Sequence, residues 1–405
     1  REQIIEQYTD VLKGHIKELQ FYLSAQNQLT EKIEQHQVLL RENLLVARSA
    51  KPVTQVTPQD FRDALGWFNS PQTKRNLTKI ISSSWQELVT IFGTFALLLT
   101  LFRWLYWPAY LRWETIGNSL RGKVHQDRLI YPVGMLLNCI LVAGYFSLPW
   151  QLAALIIQDN SSSEVRHAMV ASLQVAAIAI FCWVFLLLLF RPGGLLSHQF
   201  KCDENLVTKM HRNIKRFAPF IAALSILIAF MDTLDDDLVR NTLGRLTFVT
   251  LCLVLAISAL GWTGISLKAR QFYQGMEFNP VLNPKYWMTA LFLLQGYMIA
   301  MALIGYYFAA IYQYILVFQS LSWVTFFTLL YYVSFRSLLI AQRQIAYQRA
   351  IEKREEIRAQ RAQTDKGEAD WVDENYVDIK TISRQSATLL KIGIWGLLIT
   401  ALGGI

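Results

Sequence analysis

Apolar residues fill runs of about twenty positions along most of this chain, and polar stretches separate the runs. Neither the two-residue alternation of a half-buried strand nor the narrow stripe of a surface helix gives this rhythm. The runs lie near 85–102, 130–157, 167–190, 217–231, 246–267, 286–309, 314–335 and 389–405. A helix rises about 1.5 Å per residue and a bilayer core is about 30 Å thick, so each run suits one crossing. The predicted fold is all-α: a polytopic membrane domain of about eight spans, the last one truncated, preceded by a polar helical segment.

That segment has its own period. Ile5, Leu12, Leu19, Gln26, Ile33, Leu40 and Ala47 recur every seventh position, which holds one stripe on one side of a helix. The companion positions Tyr8, His15, Tyr22, Leu29, His36 and Asn43 are mixed, so packing in a helical bundle suits the pattern better than a continuous zipper. Residues 49–80, with Pro52, Pro58 and Pro71, form a connector with a short helix around Phe61 to Phe68. The organisation expected is therefore a helical segment and connector over 1–80, about seven spans over 81–340, a basic helix and acidic linker over 341–388, and the start of a further span over 389–405. Arg1 opens the sequence and Ile405 closes it inside an apolar run, as expected of an internal portion of a longer protein.

Charge gives the orientation. The loops 103–128, 191–216, 268–285 and 336–391 carry five, six, three and eleven Lys and Arg, whereas 158–166, 232–245 and 310–313 carry one, two and none. Basic loops stay on the cytoplasmic side, because moving them against the membrane potential and the anionic leaflet is unfavourable. Residues 1–80 are thus expected on the outer side of the membrane, with the 336–391 segment on the cytoplasmic side. The net charge of +9 has the same origin and does not indicate nucleic acid.

Little in the spans suggests chemistry. Ionisable groups buried at mid-membrane mark ion-coupled carriers, yet Glu87, Asp232 and Arg245 fall at span edges and the internal polar groups are Asn138, Gln174 and Gln295. Pro132, Pro149 and Pro219 lie near span ends, so broken helices at a midplane site are not suggested either. The sequence has no Gly-rich phosphate loop, HExxH or GxSxG, so neither an enzyme nor a cofactor is expected. His15 with His36, the run Asp235 to Asp237, and His198 with Cys202 and His211 carry ligand atoms, but solvated or seam-flanking residues explain each better than a metal. The four cysteines read as buried thiols rather than a disulfide framework.

Three residue classes remain. Trp104, Trp107, Trp113 and Trp287 cluster at run ends, where amphipathic rings anchor to the headgroup zone. Gly261, Gly264, Gly296 and Gly305 read as points of close helix packing. After the seventh run, Arg336, Arg343, Arg349, Lys353 and Arg354 turn an apolar helix basic, the pattern of contact with inner-leaflet lipid. Pairing of this stretch with Glu352, Glu355 and Glu356 as a soluble extension is the alternative beyond Lys353.

Residues 336–354 (RSLLIAQRQIAYQRAIEKR), the acidic linker after them and residues 377–390 (VDIKTISRQSATLL) resemble the large MscS-like mechanosensitive channels of Gram-negative bacteria, of the potassium-dependent or the miniconductance type. The resemblance implies a helical periplasmic domain, accessory spans, a homo-heptamer in contact with membrane lipids, and release of ions and osmolytes on hypo-osmotic shock. In that family the Gly- and Ala-rich pore helix follows the part seen here, so the implied role of this portion is the tension-sensing periphery of a pore it does not itself contain. The alternative is an accessory or scaffold membrane protein whose helical ectodomain binds a periplasmic partner. A secondary carrier is disfavoured by the empty span cores.

Overall fold

In a computed structural model, residues 48–120, 128–158, 164–200, 202, 204–234, 236–269, 284–363 and 379–403 are described, with a few helical residues between 17 and 32. Among them the regular structure is entirely helical. The heptad positions, including His15 and His36, fall largely outside the described residues.

The connector enters helix α1, Pro58–Asn69, through a capping box: the Thr57 N–H donates to Asp60 Oδ2 at 2.8 Å and the Asp60 N–H donates to Thr57 Oγ1 at 3.4 Å. These bonds favour the ionised form and hold the Asp60 carboxyl below its usual range. Ser70 then caps α2, Pro71–Leu101, which passes through a π-helical turn, Phe102–Tyr106, into α3, Trp107–Leu120. The bundle continues with α4 (Ile130–Ile157), α5 (Glu164–Leu189), α6 (Glu204–Thr233), α7 (Arg245–Ala269), α8 (Pro284–Ile304), α9 (Tyr307–Gln363) and α10 (Ile379–Gly403). Further π turns lie at Leu195–Gln199 and Arg240–Gly244.

Six helices among the described residues are long and apolar enough to cross a membrane, and Thr289–Ile304 and Thr388–Gly403 add two shorter apolar stretches. The helices outrun the apolar runs that announce them, because backbone hydrogen bonding continues into water where hydropathy does not. The basic stretch after residue 103 is accordingly helical to Leu120 rather than a loop. Pro149 and Pro219 lie inside α4 and α6, not near helix ends. Residues 310–313 lie within α9, and the reversal expected there occurs at Gly305 and Tyr306. Apolar sequence on both sides hides that turn from hydropathy. Its signal is Gly305, whose φ of 115° is a left-handed conformation that side chains resist.

Among the described residues four clusters form the core. At one end of the bundle α1 lies across the helix ends: Ala64, Trp67 and Phe68 meet Ala168 of α5, Met231 of α6 and Val239, and Trp67 also meets Ile157 and Val165. Beside them Ala50 joins Phe248 and Leu251 of α7, Met298 and Ala302 of α8, and Tyr307, Ala310 and Ile311 of α9. Toward the other end Met135 and Leu189 pack with Leu195, Leu196 and Val207 and with Leu329 of α9. Ile157 and Val165, Leu234 and Val239, and Gly305 with Tyr307 thus all lie at the connector's end of the bundle.

Candidate functional site: the outer face, the connector junction and the basic helix

The large apolar side chains of the spans face outward to an unusual degree. In the apolar window of α2 no residue is buried, and Leu97, Leu98, Leu101 and Trp104 are 62%, 50%, 46% and 78% exposed. Such a surface would be an aggregation patch in water and is the ordinary surface of a helix in lipid. The inward side of α2 and α3 is aromatic instead. Phe92 meets Trp150 at 5.5 Å, Phe102 stacks on Tyr106 at 4.5 Å and on Tyr145 at 6.0 Å, and Trp113 lies 5.5 Å from Tyr131. Tyr106 donates to Asn138 Oδ1 at 2.8 Å, and Tyr145 donates to the Phe95 carbonyl. The rings at 92, 95, 102, 106, 110 and 113 follow helical spacing, a seam that was visible in the sequence under the aromatic belt.

The proposed anchors separate on this seam. Trp104 points outward, Trp107 is half-buried beneath the Arg191 guanidinium at 5.4 Å, and Trp113 packs into α4. The side chain of Trp287 lies outside the described residues. Close approach of α3 and α4 depends on Gly117 and Gly134, where an added Cβ would stand 2.6 Å from Tyr131 and 2.4 Å from Trp113. Of the glycines expected to pack helices, Gly296 has no atom within 4 Å of such a Cβ and Gly305 serves the reversal. The surroundings of Gly261 and Gly264 lie outside the described residues. A single glycine does not say which face of its helix meets a neighbour.

Charged groups are clamped at both ends of the bundle. Toward α3, the buried Glu114 carboxylate accepts from Arg191 Nη1 at 3.4 Å, and Gln199 donates to Asn118 Oδ1 at 2.9 Å. These bonds tie α3 to the turn after α5. At the connector, Ser49 and Ala50 close on the reversal between α8 and α9: the Ala50 N–H donates to the Gly305 carbonyl at 3.0 Å, and Ser49 Oγ accepts from the Phe308 N–H at 3.1 Å. Arg245, only 3% exposed, donates from Nη1 to the Lys51 carbonyl at 2.7 Å. Arg245 reads as an edge residue in sequence; the structure makes it a buried clamp, which hydropathy could not have shown.

The basic stretch continues α9 without a break to Gln363, so a helix of 57 residues carries it, about 85 Å long at the usual rise. Arg336 is buried and Arg343 half-buried, while Arg349, Lys353 and Arg354 are exposed. The last three are thus the most open to their surroundings. Among the described residues no group of three His, Cys, Asp or Glu could hold a metal ion. His198 is exposed, and burial pushes the Cys202 thiol up, disfavouring the thiolate that a metal would need.

The family described as mechanosensitive ion channel inner membrane domain 1 matches residues 89–405. The chain is 25% identical over 385 residues to the miniconductance mechanosensitive channel MscM of Escherichia coli (strain K12), covering 91% of this chain and 34% of that protein. It therefore spans about a third of the length of this curated relative. No solved structure matches significantly. The match begins within α2 and takes in the later described helices, the long basic one included, and the chain belongs to the MscS-like mechanosensitive channel family as its multi-pass inner-membrane helical domain.

Proposed function

We propose that this bundle is the tension-sensing periphery of a homo-oligomeric mechanosensitive channel, sevenfold by the family resemblance. It biases a central pore carried by sequence beyond this portion. Residues 1–80 lie in the periplasm and the basic end of α9 in the cytoplasm. The observation that carries the reading is the unburied apolar face of α2, whose other side packs on the bundle through the aromatic seam and through Ile80 beside Ala154 and Ile157. Tension acts like a ligand that prefers the wider of two states, because it multiplies the difference in their in-plane footprint. A rim of lipid-facing helices adds to that footprint, and spans of unequal length couple it to bilayer thickness.

The test is patch suction on the intact channel and on a form lacking residues 81–340 that keeps the pore-bearing end. The intact channel should conduct under suction, and the shortened one should conduct with a shifted tension threshold. An unshifted threshold at matched expression would reduce the bundle to a structural or partner-binding role.

A further inference from the structure

The apolar run of α6 is short. It covers residues 217–231, about 22 Å at the usual rise, against a hydrocarbon core of about 30 Å. On the side away from the connector the same helix continues through Lys209, Arg212, Lys215 and Arg216, all exposed. By sequence these cations belong to the loop 191–216, yet the structure sets them beside apolar stretches of both neighbouring helices. α5 runs antiparallel to α6, with Ala168 and Met231 in one core cluster and Leu189 and Val207 in another. Even spacing between those contacts puts Arg216 and Arg212 level with Phe181 and Phe185, inside an apolar run that continues to Phe190. On the other side Asn213 Nδ2 donates to the Ser258 carbonyl at 3.2 Å, and Ser258 lies well inside the apolar run of α7. Charges at hydrocarbon depth are costly and persist where water, a counter-charge or a headgroup reaches them. The Arg216 guanidinium lies over the Phe217 ring at 5.5 Å, and among the described residues neither it nor Arg212 or Lys215 has an ion-pair partner.

We propose that this face of α6 holds the phosphodiesters of acidic phospholipids from the leaflet opposite the connector, drawn in along the helix to meet Arg212 and Arg216. Helical side chains lean toward the N-terminus of their helix, which on α6 is the side of that leaflet, so the long cationic side chains reach toward its headgroups. Lys209, Arg216, Phe220 and Leu227 are exposed and follow one another at helical spacing. One stripe thus offers charge to a phosphate and apolar surface to the acyl chain attached to it. A zwitterionic lipid brings its own ammonium to the phosphate and neutralises this cluster less well. Inorganic phosphate lacks the chain that Phe220 and Leu227 would cover. The proposal goes beyond tension sensing, and because its test reads bound lipid it stands or falls apart from gating.

The test uses the full chain in non-ionic detergent, with bound lipid read by native mass spectrometry. The probes are dioleoylphosphatidylglycerol, dioleoylphosphatidylethanolamine and inorganic phosphate. Arg212→Gln with Arg216→Gln should lower retention of phosphatidylglycerol by about tenfold or more, at about fivefold per charge. Arg212→Lys with Arg216→Lys keeps the charge and should retain most of the lipid. Arg62→Gln with Arg75→Gln removes two exposed cations at the connector's end and should leave retention unchanged. Phosphatidylethanolamine should be held less well, and millimolar phosphate should not displace the lipid. Undiminished retention in the α6 Gln pair overturns the proposal, as does an equal loss in the connector-end pair, which would reflect total charge rather than this face. Displacement by phosphate makes this a free-anion site and overturns the lipid assignment, and equal retention of phosphatidylethanolamine overturns the preference for acidic lipid. If the Gln pair fails to fold by gel filtration, Phe220→Glu decides: it leaves every cation in place, sets a carboxylate one turn from Arg216, and should lower retention in the same direction, whereas undiminished retention overturns the proposal.

Discussion

Ala50 and Gly305, far apart in sequence, are joined by a 3.0 Å backbone hydrogen bond, and a Cβ on Gly305 would stand 2.4 Å from the Ala50 carbonyl oxygen. The connector therefore seats on the reversal between α8 and α9 only because that residue is glycine. With Arg245 holding Lys51 beside it, this is the point where movement of the connector would reach α7, α8 and α9 together.

Gly305→Ala should cost about 1–3 kcal/mol, since it forces a side chain into a left-handed conformation and onto a carbonyl at once. Thermal unfolding in detergent would register the loss, and protease should cut near Lys51 more readily than in the parent. A variant as stable and as resistant as the parent would mean that the connector is not seated on this turn.

For Glu114 and Arg191 the order of effects is the prediction. Arg191→Met leaves a buried carboxylate without its cation and should destabilise by about 1–3 kcal/mol, held to that range because a third of the Arg191 side chain reaches solvent. Glu114→Gln should cost less, and the double variant should recover part of the Arg191→Met loss. Strict additivity across the cycle would show that the two do not act as a pair.

The exposed end of α9 should bind anionic membrane. Replacing Arg343, Arg349, Lys353 and Arg354 with Gln should weaken binding to phosphatidylglycerol vesicles by up to about 1 kcal/mol per residue near the surface and flatten its salt dependence. Because Arg343 is half-buried, the three outer residues should carry most of the effect. Unchanged binding in the quadruple variant would make this end of α9 a soluble extension.

Orientation can be read with single cysteines in a background lacking the four native ones. An impermeant maleimide should reach Asp63→Cys from the periplasm and Glu356→Cys only after the inner membrane is opened. Both positions are exposed in the structure, so labelling of both from one side would refute the topology rather than report burial.

Much of the bundle was legible in the sequence for a simple reason. Crossing hydrocarbon demands about twenty apolar residues and a closed set of backbone hydrogen bonds, and the segments centred on Leu141, Ala176 and Leu255 meet that demand without help from their neighbours. Charge gives the expected side of each end for the same local reason. What hydropathy cannot encode is which face of an apolar helix meets protein and which meets lipid, since the two environments are equally apolar. Tertiary structure alone turned Trp104 outward and Trp113 inward, gave helix packing to Gly117 and Gly134 rather than Gly296, and moved a reversal from 310–313 to Gly305. It also drew Arg245 from a span edge into a buried clasp on Lys51, because the connector that covers it is nearly two hundred residues away in the chain.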